Sequence, residues 1–397
     1  MLDAARVTVL LAAAALPFST TATSVFMGLA LLCWALSGQL QPTLRAIAAE
    51  PAAWLGFVLL AALCAGVAWS RVPPKEAFAA VLKYRELALF SIVMFLFADE
   101  RWRARLLWTI FIAAIALMAA SHAIFLGLVR NVVPAVEHNA VLLKSPITHG
   151  FMMSLLAYGA AALALAGTGW RRWVMAAVAL SAVLNTLLAV QGRTGYVVLA
   201  ALAVWLAVSQ RSVKAVAVVL LGLAIAVGAA YRWAPAFQAR IDQTATEAIE
   251  NRTDRETSIA MRLHYLKRSV ELVRKDPLLG AGTGAWSDAF YEATVNDPPL
   301  FHDRRHYHPH NEYLYLAVQL GLGGLVLLVA LFGAAFWRAG ALPDKEALLA
   351  RGFVLAFAMG CLLNDFLWDS TEGHLWAVLG GALFGASAPR PPLQARH

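Results

Sequence analysis

Four histidines fall close together in this chain, at His302, His306, His308 and His310, and an apolar run follows them at once. The part suited to chemistry is His308-Pro309-His310-Asn311. Proline is favoured at the first position of a helix, where no amide donor is needed. That spacing predicts His310 in the first helical turn. The positive end of a helix disfavours imidazolium, so His310 is expected to be neutral and able to take a proton near neutral pH. The same helix end attracts anions. An uncharged base beside an anion site suits removal of a hydroxyl proton while a phosphate group departs. The blander readings are interfacial histidines or a proline that merely starts a helix. A zinc site is the third reading, but no cysteine is near, and Asp303 and Glu312 are the only close carboxylates. The pattern leaves open whether His308 or His310 is the base.

Cations that could meet a phosphate lie elsewhere in the chain. Lys83-Tyr84-Arg85-Glu86 interrupts an apolar stretch, and charge inside a span marks a site by default. The alternative is internal pairing of Glu86 with Arg85 or Lys83, or snorkelling to the surface. Gln191-Gly192-Arg193-Thr194-Gly195 reads as a tight glycine turn that presents one guanidinium, a group that forks well onto phosphate oxygens. Ile259, Leu263, Leu266, Val270 and Val273 recur at helical spacing, which predicts an amphipathic helix ended by Asp276-Pro277. Arg262 lies near its apolar face, while Arg268, Arg274 and Lys275 read as a solvated face. The glycines from Gly280 to Gly284 resemble a phosphate loop only superficially, because the lysine of that motif is missing. Asn364, Asp365, Asp369, Glu372 and His374 form a last polar loop that could bind sugar hydroxyls or hold the arginines.

The elements that must position these groups are membrane helices. Of the 397 residues, 60% are hydrophobic and 14% are charged, against about a quarter charged in a soluble domain. The apolar residues come in blocks close to the roughly 20 residues needed to cross a bilayer. The sequence predicts an all-α polytopic fold with about 12 spans, near 5–18, 22–38, 53–70, 77–98, 104–128, 147–167, 172–190, 195–210, 213–231, 310–336, 347–367 and 373–389. The first block is read as a retained helix, not a signal peptide. Arg45, Arg101, Arg103, Arg105, Arg171, Arg172, Arg211, Lys214, Arg338, Lys345, Arg351, Arg390 and Arg396 fall on one side of this plan with both termini. The positive-inside rule makes that side cytoplasmic. Residues 232–309 become a polar outer loop with helical signals, so the chain divides into helices over 1–231, a periplasmic subdomain over 232–309, and helices plus a short tail over 310–397. The net charge of +8 sits mostly in short loops, which fits topology and phosphate binding better than nucleic acid. Cys33, Cys64 and Cys361 lie in apolar blocks and make no disulfide framework.

Taken together, His310-Asn311 followed after nine residues by Gly321-Leu322-Gly323-Gly324 resembles the histidine motif of bacterial O-antigen ligases. The stretch from Asp276 to Trp286 resembles the glycine-rich segment that precedes it in the wider ligase and polymerase family. Arg193 and Arg262 fall where that family carries outward-facing arginines. The resemblance implies a GT-C-like membrane glycosyltransferase of the cell inner membrane. It implies an undecaprenyl-diphosphate-linked O-antigen donor, a lipid A–core acceptor, and no metal or cofactor. His310 or His308 would be the base, and Arg193 and Arg262 the diphosphate clamps. Lys83 and Arg85 would be further phosphate ligands, with Asp369, Asn311 and Tyr84 in supporting or acceptor roles. O-antigen polymerases and protein O-oligosaccharyltransferases share the layout. A transporter of lipid-linked glycan is the alternative from another class, and it calls for internal repeats and helices broken within the membrane.

Overall fold

The computed structural model describes residues 1–130, 139–190, 192–233, 237–239, 241–242, 258–303 and 306–387. The regular elements among these residues are all helices, with no strand among them. In chain order the helices are α1 (Leu2–Ala15), α2 (Thr20–Ala35), α3 (Leu40–Ala49), α4 (Pro51–Gly66), α5 (Pro74–Lys83), α6 (Glu86–Leu96), α7 (Glu100–Phe125), α8 (Pro146–Ala166), α9 (Gly169–Leu184), α10 (Arg193–Ser209), α11 (Val213–Trp233), α12 (Ser258–Lys275), α13 (Trp286–Ala293), α14 (Glu312–Ala339), α15 (Asp344–Cys361), α16 (Ser370–Leu375) and α17 (Gly381–Phe384). Single π-helical stretches at Asn185–Ala189 and Trp376–Gly380 continue α9 and α16.

This is a multi-pass membrane protein. Among the described residues, six helices are long and apolar enough to cross a bilayer, or seven if α2 and α3, bent by 109°, form one span. The twelve expected spans are therefore not all continuous helices of that length. The 77–98 block is two helices, α5 and α6, meeting at Tyr84-Arg85, and α1 has 14 residues and α10 has 17. The short amphipathic α3 is not foreseen by the hydropathy pattern. Large apolar side chains left exposed on the long helices, such as Trp108, Val218, Leu221 and Val326, face where lipid would lie. Some loops assigned to one side do meet. Arg338 Nη2 lies 3.3 Å from Glu50 Oε2, and Ser387 donates to the same oxygen at 2.7 Å. Arg390 and Arg396 lie outside the described residues, as do 243–257 of the long polar loop.

The element that fixes the site is α14. It is two helices joined across a break at Gly321, where φ 65 and ψ −164 leave the helical region. Only glycine adopts such angles cheaply. A break inside an apolar bundle exposes backbone polar groups that must be paired. The segment from Pro277 to Gly284 pairs them. Ala281 N donates to Val318 O at 2.7 Å, Gly282 N to Gln319 O at 3.0 Å, and Leu322 N to Pro277 O at 2.8 Å. The other edge of the segment holds the end of α4, where Thr283 donates from N to Gly66 O at 3.1 Å and from Oγ1 to Leu63 O at 2.7 Å. The glycine stretch is thus a strap, and its glycines permit close backbone approach. The helix break that a transporter would need does exist, contrary to the sequence reading, but a protein backbone fills it instead of a cavity.

A side chain on Gly280 would strike the Val318 carbonyl, and one on Gly321 would strike the Leu278 carbonyl, while both positions have positive φ. Gly280→Ala and Gly321→Ala should each cost about 2–3 kcal/mol or more through clash and strain. Gly323→Ala, where a new Cβ meets nothing within 4 Å, should melt like the parent. Thermal unfolding in detergent checks this, and three equal melting temperatures would refute the strap.

Candidate active site

The histidine segment enters α14 differently from the sequence expectation. The helix begins at Glu312, and Asn311 is its N-cap, with Oδ1 accepting from Leu314 N at 3.0 Å. Asparagine is a strong N-cap, and it displaces Pro309 from the first helical position. The Asn311 amide also donates to Leu362 O at 3.0 Å, tying the segment to the end of α15. Asn311 therefore acts structurally. His310 precedes the helix and has φ 54, a left-handed conformation that costs a non-glycine residue about 1–2 kcal/mol. Such strain persists where surrounding structure enforces it, as at functional sites.

The ring of His308 is set by a residue from the far end of the chain. Its Nδ1 lies 2.6 Å from Oδ2 of Asp365, which is wholly buried. Burial works against charge on His308, but the Asp365 contact and the charges of Asp365 and Asp369 outweigh burial and repulsion from Lys83, so its pKa is raised. His310 stands with its ring centroid 4.6 Å from that of His308. Burial, then the charges of His308 and Arg262, push its pKa down to about 3. The sequence reading invoked a helix end for this shift, whereas burial is its first cause and the charges of His308 and Arg262 follow.

The cations gather unevenly. Arg262 of α12 acts directly on His310. Lys83 lies over the Trp368 ring at 4.6 Å, and that ring is 5.1 Å from the His308 ring. Arg193 opens α10, and its neighbour Thr194 accepts from Asn364 Nδ2 at 2.8 Å, which joins the glycine turn to the residue before Asp365. Asp369 is half-buried beside the pair. Burial and Asp365 raise its pKa to about 6 against the pull of His308 and Lys83. Arg85 goes elsewhere: it pairs with Glu86 at 3.1 Å and donates to Leu82 O, the internal pairing that was the alternative to a phosphate role. Tyr84 is buried and donates to Glu312 Oε1 at 2.6 Å, so it supports the site from behind.

The rest of the long loop braces the site. Helix α12 buries Tyr265 and Ser269 and packs Val273 of the predicted row against the core, while Leu263 and Leu266 stay exposed. Tyr265 Oη lies 2.7 Å from His306 Nδ1, and Ser287 donates to His306 O at 2.7 Å, fixing the approach to His308. Arg268, expected on a solvated face, is held by Asp297 and Glu271. Asp297 becomes its partner only when the chain folds back.

Trp368 is the site residue that sequence reasoning missed; Asp365 was legible only as one member of a polar loop, and Glu312 only as a carboxylate near the histidines. Asp365 carried one usable signal, a charge flanked by Cys361-Leu362-Leu363 and Phe366-Leu367-Trp368. His308, His310 and Asp365 each turn one ligand-type atom to within 4.8 Å of the others, so this set could also hold a metal ion.

The site thus joins a carboxylate-backed histidine, a second imidazole and nearby cations in a multi-pass membrane protein. Residues 176–329 match the family model described as O-antigen ligase, and this match supports a relationship to the O-antigen ligase superfamily. The match runs from α9 through the Gly321 break and contains Arg193, Arg262, His308 and His310. Lys83 and Asp365 lie outside it. A comparison with curated proteins gives no match.

His310→Gly should leave the fold intact or stabilise it by about 1 kcal/mol, because glycine accepts the left-handed backbone freely, while activity falls. Unfolding midpoints measured beside turnover test this. A destabilised His310→Gly protein would mean that the side chain serves the fold.

Proposed function

We propose that this protein transfers O-antigen glycan from undecaprenyl diphosphate to a sugar hydroxyl of lipid A–core on the periplasmic face of the inner membrane. The family match over residues 176–329 supports the ligase–polymerase class of activity. The observation that carries the mechanism is the 2.6 Å contact between His308 Nδ1 and buried Asp365.

Asp365 holds His308 in the tautomer with Nε2 unprotonated. The acceptor hydroxyl gives its proton to Nε2 as its oxygen attacks the anomeric carbon of the donor. The bond from that carbon to the diphosphate oxygen breaks, and its electron pair leaves with the diphosphate. Arg262, Lys83 and Arg193 balance the departing charge. His310 is too weak a base for this step, and as a neutral imidazole it orients a hydroxyl or a phosphate oxygen. A metal bound to both imidazoles would occupy the lone pair that the base needs, so ligation should proceed without one. Attack opposite the leaving diphosphate inverts the anomeric centre, and product NMR showing retention would reject single displacement.

Purified protein in lipid nanodiscs, given lipid-linked O-antigen and lipid A–core in EDTA, should form modified core. His308→Ala should slow turnover by roughly 10²- to 10⁴-fold, the usual worth of a positioned base. Longer lipid-linked chains with unmodified core would make the protein a polymerase. Loss of activity in EDTA that zinc restores would replace the base with a metal.

The pH dependence has a definite sign. The raised pKa of His308 means that the acid limb of kcat/KM should fall above the ordinary histidine value of about 6.5, because protonated His308 cannot accept a proton. Asp365→Asn removes the charge that holds the proton, so the limb should move to lower pH while the maximal rate drops. A limb that stays put in Asp365→Asn would exclude His308 as the titrating base.

A further inference from the structure

Glu312 is the first residue of α14 and is entirely buried. A buried carboxylate is tolerated only when it is well paired, and this one has three hydrogen-bond donors. Oε1 accepts from the Tyr84 hydroxyl at 2.6 Å, and Oε2 accepts from the backbone N–H groups of Leu367 at 3.0 Å and Trp368 at 3.4 Å. These donors come from two places. Tyr84 sits at the elbow between α5 and α6, immediately after Lys83. Leu367 and Trp368 belong to the turn that begins with Asp365, and Trp368 carries the ring under Lys83. Trp368 N and Asp369 N also donate to the Asp365 carbonyl at 3.2 and 2.9 Å, which closes that turn.

We propose that Glu312 is a positioning residue that holds the Asp365 turn in register with His308, with Tyr84 fixing the rotamer of its carboxylate. The proposal rests on the reading of His308–Asp365 as the base pair. Glu312 is only two residues from His310, so one short stretch of chain supplies the histidines and also grips the turn that aims one of them. The grip spans the α5–α6 elbow, the start of α14 and the loop after α15. The separation of Lys83 from His308 is then set by one carboxylate.

Oε2 of Glu312 faces two backbone amides that can only donate, and Oε1 faces a hydroxyl. In Glu312→Gln the NH₂ group either meets the two amides, donor against donor, or turns to the Tyr84 hydroxyl, which must then accept instead of donate; in both cases the charge that grips the two amides is lost. The test uses the full-length protein in nanodiscs and the ligation assay above. Glu312→Gln is expected to lower kcat about 10- to 100-fold with KM for the donor changed less than about threefold. Tyr84→Phe, which removes one donor of three, is expected to lower kcat about fivefold with its melting temperature kept. In an Asp365→Asn background Glu312→Gln should cost under about twofold more, because residues that act through one another are not additive. Full additivity in the double variant would overturn the proposal, as would wild-type kcat in either single variant. If Glu312→Gln does not fold, Tyr84→Phe alone and combined with Asp365→Asn decides the same question. Retained ligation in His308→Ala and Asp365→Asn would instead bring down the base-pair reading. Loss in those two with unaffected Glu312→Gln and Tyr84→Phe would bring down only the positioning role.

Discussion

A carboxylate cannot be buried at low cost, and the location of Asp365 imposes that constraint on everything around it. Its side chain is fully buried and lies against His308. Burying an unpaired carboxylate costs several kcal/mol, so the imidazole contact is part of what lets this turn fold as it does. The same contact raises the pKa of His308 and orients its ring. His310, one residue beyond a proline and facing cations, is driven the other way. Two histidines a residue apart therefore acquire different protonation behaviour from their surroundings, which is a common route to separate roles in one site.

The second constraint is the broken α14. An unbroken helix of this length would be easier to form, and the break at Gly321 makes sense only with the strap that fills it. Backbone groups of Ala281 and Gly282 replace the lost intrahelical partners, and Thr283 carries the connection on to α4. The strap leads directly into α13, whose Ser287 and neighbouring Tyr265 of α12 hold His306. The loop that bears the histidines is thus anchored within the membrane bundle, and it approaches the bundle's end already shaped.

Charge within the apolar stretches divides into two kinds. Arg85 with Glu86 forms an internal pair beside His374, whose Nε2 lies 3.4 Å from Glu86 Oε1. Lys83, two residues away, faces the histidines across an aromatic ring. Adjacent residues on a helix end point in different directions, so a run such as Lys83-Tyr84-Arg85-Glu86 delivers one residue to the site, one to its support and two to a separate pair. Arg193 opens α10 and Arg262 lies on α12 within the long loop, with α11 between them in the chain.

Composition and block length alone determined that this chain is a helical membrane protein, because apolar helices of that length have no other stable setting. The histidine cluster, the glycine turn at Arg193 and the glycine stretch were legible as local signals, since each depends on residue type and short spacing. The expected helix start at Pro309 was wrong because Asn311 is the stronger cap, and the 77–98 block is two helices because the chain turns at Tyr84-Arg85. Only the tertiary structure decided that Asp365 and not Asp369 contacts His308, that Arg85 turns to Glu86, and that the glycines fill a helix break. Those choices join residues tens to hundreds of positions apart, and no local pattern records which distant partner a buried charge or an exposed carbonyl will find.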